Sequence, residues 1–282
     1  MKFMKFTAFQ LKIIAVIGMI LQHTAIVISF SAEIPTSLHI FMFMSGGITF
    51  PIMAYLLTEG YRHTRNTRIT RHTMHIMHIM HIGHKSISRY INRLFIFGII
   101  SQLPFMLTFS HVFSFRLNIM FTLALGLIIL TLYDKFSKRV ILLCYVFTLI
   151  LIISSIFFDW GLFGLPMILM YHIIKTERNR RIIPPLIIGG LYIIIETFTI
   201  LTTLTALPTL QILPILPLLS DSINEVQSFD ISSFAFAIGI CISTLFLHRF
   251  TGERGHTTSA AKWSFYIIYP VHLMILGLII YI

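Results

Sequence analysis

With 282 residues, 56 % of them hydrophobic and 11 % charged, the chain is too apolar for a soluble fold of its length and reads as a polytopic membrane protein. Its net charge of +11 does not make it a nucleic-acid binder, because the lysines and arginines punctuate apolar stretches of membrane-spanning length instead of gathering on one solvated face. The two cysteines, Cys144 and Cys241, lie inside apolar runs without redox or metal spacing and read as packing residues.

Apolar runs starting near Ile13, Leu38, Ile91, Leu117, Val140, Trp160, Ile182, Ile231 and Trp263 are candidate spans. They predict an all-α transmembrane bundle of about nine helices, a single domain over residues 1–282 in the cell membrane. Lys2 and Lys5 ahead of the first run suggest a signal peptide, but that run is about 20 residues long and lacks a small-residue cleavage pattern, so a retained helix is expected. With a cytoplasmic N-terminus, every lysine and arginine except Arg116 falls on the inner side, as the positive-inside rule requires. The run from Trp160 to Ile174 is short for a span. Ala206 to Leu219 carries Pro208, Pro214 and Pro217 and precedes the acidic residues Asp221, Glu225 and Asp230. A tenth span there would put the last basic loop outside, so an outer re-entrant or interfacial segment is expected.

Between the second and third runs lies a cytoplasmic insert at about 67–88, in which His72, His75, His78, His81 and His84 recur every third residue. On an α-helix a period of three drifts by about 60° per step, so the imidazoles spiral instead of converging on one ion. The repeat reads as a tolerated low-complexity loop, and no metal is expected in the site.

Three groups carry chemistry. The first is Lys12 with His23. Eleven residues of α-helix turn through about 1100°, which puts both side chains near one face and about 16.5 Å apart along the axis. His272 lies about 13.5 Å into the last helix from Trp263, a similar depth reached from the other end of the chain. Ionisable side chains are costly in hydrocarbon, so two histidines at matching depth mark a candidate reaction site; packing against a neighbouring helix is the alternative. The second group is Lys12 with Arg89 and Arg93, spaced i,i+4, suited to the phosphates of an acyl-CoA on the cytoplasmic side or to anionic membrane lipids. The third is Glu59, Arg62 and His63 at the inner end of the second helix, where Glu59 would orient a base or Arg62 and His63 would touch the donor. Gln102, Asn118 and Thr122 line the same cavity or hydrogen-bond between helices.

The Lys12-x10-His23 spacing resembles the basic-x10-His signature of the acyltransferase-3 group of membrane acyltransferases. Four stretches resemble the TraX family more closely. They are Phe50 to Asn66, with its Glu59-Gly60-Tyr61-Arg62-His63-Thr64-Arg65-Asn66 block, Ser101 to Phe105, Leu117 to Gly126, and Phe265 to Leu273. That family includes pilin N-acetylases, so the resemblance implies acetyl transfer from acetyl-CoA to an acceptor at or beyond the membrane. The acceptor would be an exported peptide or pilin N-terminal amine, or an envelope glycan hydroxyl. His23 would be the general base, His272 would orient the acceptor or stabilise the oxyanion, and Glu59 would assist. Lys12, Arg62, His63, Arg89 and Arg93 would hold the donor, and Gln102 and Asn118 the acceptor. The chain departs from the family's pattern at Gln22, where relatives commonly have aspartate, at Gly47, where they usually have arginine, and in the histidine-rich insert. A transporter or proton-coupled permease, or a non-catalytic membrane partner, is the alternative; no internal repeat relates the two halves, which weighs against the transporter.

Overall fold

A computed structural model describes residues 5–29, 34–72, 80–109, 115–136, 147–151, 153, 157–210, 220–256 and 258–280, with the side chains of 66–72, 80–86, 202–210 and 220–230 outside the description. Among the described residues the protein is helical and has no strands, only the isolated bridges Phe6 to Phe250 and Leu117 to Phe158. The helices are α1 (Ala8–Ile28), α2 (Thr36–His72), α3 (Met80–Phe109), α4 (Ile119–Phe136), α5 (Gly161–Ile173), α6 (Glu177–Leu210), α7 (Ser220–His248) and α8 (Ser259–Ile280). Seven are long and apolar enough to cross a membrane, and α5 is a shorter apolar helix. This is the polytopic bundle expected, with α1 to α4 and α6 to α8 on seven of the nine apolar runs. Much of the run from Val140, most of the segment Ala206 to Leu219, and His75 and His78 of the histidine repeat lie outside the described residues, as does Cys144; His72, His81 and His84 fall in the ends of α2 and α3 that face the repeat.

Local sequence explains how the elements begin and meet. Thr7 caps α1 in a reciprocal box with Gln10, which satisfies donors that a helix start leaves open. The residues before it are tied to the α7–α8 loop by backbone hydrogen bonds from Phe6 to Arg249 (3.0 Å) and from Thr251 to Phe6 (2.9 Å). The helix seams run through small residues. A Cβ on Gly18 would lie 2.2 Å from the Ser45 carbonyl, and one on Gly47 2.0 Å from the Phe236 carbonyl, so α1, α2 and α7 pack at backbone contact. Gly47 is one of the departures from the family's pattern, and here no side chain fits in its place.

Between α3 and α5 the chain folds into the bundle. Leu117 pairs with Phe158 through hydrogen bonds to Phe157 (2.7 Å) and from Asp159 (2.8 Å). Trp160, at φ 60°, turns the chain into α5 and stacks on Phe50 at 4.4 Å. A bulky residue in the left-handed region is strained, and the ring packed between Phe50 and Phe236 holds it there.

Candidate functional site in the membrane bundle

The two histidines singled out by depth touch. His23 Nδ1 and His272 Nε2 are 2.8 Å apart across the α1–α8 seam. Their rings lie within 9° of one plane at a centroid separation of 5.1 Å, which is the geometry of an in-plane N–H···N bond rather than of face-to-face stacking. The neighbouring contact assigns the proton. His272 Nδ1 lies 2.9 Å from the Ile268 carbonyl, which only accepts, so the hydrogen of His272 sits on Nδ1. His272 Nε2 is therefore the acceptor and His23 Nδ1–H the donor. Among the described residues this leaves the lone pair of His23 Nε2 uncommitted, while both nitrogens of His272 are engaged. Phe109 from α3 packs edge-on against His23 at 5.0 Å, and Tyr269 lies 5.6 Å from His272. Thr108 closes the α3–α8 seam by donating to the Leu273 carbonyl at 2.8 Å.

Eleven residues toward the basic end, Lys12 sits over the Phe265 ring at 5.5 Å and faces Lys262. Arg89 and Arg93 lie within electrostatic reach of Lys262, so α1, α3 and α8 bring four cations together at the basic end, with Lys12 on the helical face that carries His23. Arg93 packs near the Tyr90 ring (5.6 Å), with its Nε buried and without a hydrogen-bond partner. Lys262 belongs to this set, although the sequence marked it only as part of a basic loop.

The other predicted site residues lie elsewhere. Helices α1 and α2 run antiparallel, with Thr49 Oγ1 bonded to the Ala15 carbonyl. Glu59 is therefore about 27 Å along the axis from the level of His23, and Arg62 about 15 Å below that of Lys12. Glu59 pairs with Arg180 at 3.0 Å, Arg62 lies in the same charged group, and His63 is exposed. Gln102 and Asn118 form a brace. Gln102 Nε2 donates to the Arg116 carbonyl (2.6 Å), and Asn118 donates to Gln102 (3.0 Å) and to the Gly98 carbonyl (2.8 Å). Thr122 donates to the Asp159 carbonyl. These polar side chains hold the inward-folded segments to α3 and α4, the hydrogen-bonding alternative of the sequence reading. Gln22 packs over Gly46, where a Cβ would meet its side chain at 2.3 Å, so it turns to α2 rather than to His23.

Several buried polar groups escaped the sequence reading. Asp134 accepts from Tyr61 (2.8 Å), Arg65 (2.8 Å) and His172 (2.9 Å), joining α2, α4 and α5. Beside it a cavity of about 610 Å3 opens at the basic end, lined by Tyr61, Arg65, Ile91, Ile128, Asp134 and Lys135. His39 bonds Ser232 at 2.9 Å across the α2–α7 seam. Asp159 sits before the strained Trp160, within electrostatic reach of Arg116, the one cation placed outside by the topology count. The signal for all of them was an ionisable residue inside an apolar run; their partners lie 38 to 193 positions away, and only the fold brings them together.

The helical bundle and its long apolar spans define a multi-pass membrane protein with a paired-imidazole centre. The chain belongs to the TraX family: the family model described as "TraX protein" matches residues 8–280. It is 27 % identical over 282 residues to a protein of Dichelobacter nodosus described as "Probable fimbrial assembly protein FimC, serogroup H1", covering 96 % of this chain and 94 % of that one. No solved structure matches it.

Proposed function

We propose that the protein is an integral-membrane acyltransferase that takes an acyl group, an acetyl group in the simplest case, from cytoplasmic acyl-CoA and passes it to an amine or hydroxyl acceptor at or beyond the membrane. The observation that carries this reading is the His23–His272 bond, with one imidazole nitrogen left open above a mouth of four cations.

The chemistry follows from the proton assignment. His23 Nε2 takes the proton of the acceptor as its nitrogen or oxygen attacks the thioester carbonyl. The tetrahedral intermediate then expels the CoA thiolate, which takes up a proton to leave as the thiol, and His23 returns to its neutral form by giving its proton up. His272 Nε2 accepts from Nδ1–H and holds the ring, and the imidazolium formed in the step keeps that bond, which is stronger to a charged donor. His272 thus supplies the acceptor that orients the base, a role that the side chain at position 22, turned to α2, does not take. Lys12, Lys262, Arg89 and Arg93 would bind the donor phosphates, since ammonium and guanidinium groups pair with phosphate oxygens. A relative described as a fimbrial assembly protein supports a pilin-type acceptor, an exported peptide's N-terminal amine. An envelope glycan hydroxyl meets the same chemistry.

The test is thioester loss from acetyl-CoA by the purified protein in neutral detergent, with a synthetic pilin N-terminal peptide as acceptor. Turnover that disappears in His23→Ala while donor affinity persists supports the reading. Absence of donor binding and of turnover in the wild type overturns it and leaves the transporter class, which the short helix α5 starting inside the bundle would serve.

A further inference from the structure

The basic end of α2, α5 and α6 holds a second cationic group that the donor mouth does not use. Arg180 is 5 % exposed, Tyr171 is fully buried, and Arg62 is half-buried between them and solvent. Tyr55 joins them: its ring lies 5.4 Å from that of Tyr171, and its hydroxyl accepts from Arg181 Nε at 3.1 Å. Arg181 is otherwise engaged with Glu177 and the Phe250 carbonyl (2.9 Å). The rest of the group is not closed. Arg180 Nε and Arg62 Nη1 are buried donors without a hydrogen-bond partner among the described residues. The carboxylates of the group are Glu59 and Glu177, against the three guanidiniums of Arg62, Arg180 and Arg181. Water would satisfy the donors but leave one positive charge unbalanced in a poorly solvated place, which is costly. An anion with several oxygens answers both needs.

We propose that Arg62 and Arg180 form a phosphate-binding site at the basic end of the bundle, separate from the Lys12–Lys262–Arg93 group. The phosphate belongs either to the headgroup of an anionic lipid or to a soluble phosphate ester. The two guanidiniums hold two of its oxygens, and Glu59 fixes Arg180 through their ion pair. The site does not depend on acyl transfer, so its failure and that of the enzyme reading are separate results.

The full chain, purified in neutral detergent, is titrated at constant ionic strength with sodium pyrophosphate and, separately, with phosphatidic acid in mixed micelles, against phosphatidylcholine as control. The readout is the thermal unfolding midpoint. A saturable rise is expected with at least one phosphate probe, with the half-saturating concentration raised roughly tenfold in Arg62→Gln, the loss of one hydrogen bond to a charged group. Arg254→Gln, in the exposed α7–α8 loop, should leave it unchanged. Saturation by phosphatidic acid alone assigns a lipid headgroup, and saturation by pyrophosphate assigns a soluble ester. In an Arg89→Gln/Arg93→Gln background, which weakens the separate Lys12–Lys262 group, Arg180→Gln should abolish the rise, and if that variant does not fold, Arg62→Gln in the same background carries the test. No saturable rise with either probe, or the same rise in Arg62→Gln, overturns the site.

Discussion

The His23–His272 pair and the Asp134 group are built from similar side chains, joined across helices at bonding distances of 2.8 to 2.9 Å. They differ in what is left over. At Asp134 three donors from α2 and α5 converge on one carboxylate and take most of its acceptor sites, so the group ties helices together. At His23 one nitrogen is committed and the other remains open beside a packed phenylalanine, so the side chain is held without being used up. A saturated buried polar group is architecture, whereas a positioned group with an unspent lone pair can do chemistry.

Five substitutions break or sharpen that contrast. His23→Ala should lower acetyl transfer by about 100-fold or more, the ordinary contribution of a general base, with little change in the unfolding midpoint. A proportionate fall in both would make the histidine a packing residue. His272→Ala should cost about 10- to 100-fold in kcat, the kinetic equivalent of one hydrogen bond to a charged group. His272→Gln, whose side-chain oxygen can accept from His23 Nδ1–H, should recover part of it. Asp134→Asn should show the opposite pattern, a loss of about 1–3 kcal/mol in stability by denaturation in detergent, with transfer per folded molecule nearly unchanged. A selective loss of turnover there would move Asp134 into the site. Asn118→Ala should have the smallest effect, about 0.6 kcal/mol, typical of a hydrogen bond between membrane helices.

Composition alone determined the membrane class, since a chain this apolar has no soluble alternative, and the placement of lysine and arginine determined the orientation. The bilayer imposes helix length on each apolar run, so seven of the expected spans were legible as written, and helical rise made the depths of His23 and His272 readable. The grouping of side chains was not. Glu59, Arg62 and His63 adjoin the donor set in a list of basic-end residues, yet the antiparallel seam of α1 and α2 puts them below it. Gln102 and Asn118 look like substrate contacts until the chain between α3 and α4 folds inward and consumes them. Gly47 and Gln22 read as losses until helix packing shows a carbonyl against one and Gly46 beneath the other. Depth along one helix is a local quantity, fixed by the number of residues from an edge. Partnership is not, because it depends on which helix faces which and with what rotation, and the bond between His23 and His272 spans 249 positions that only the packed bundle brings together.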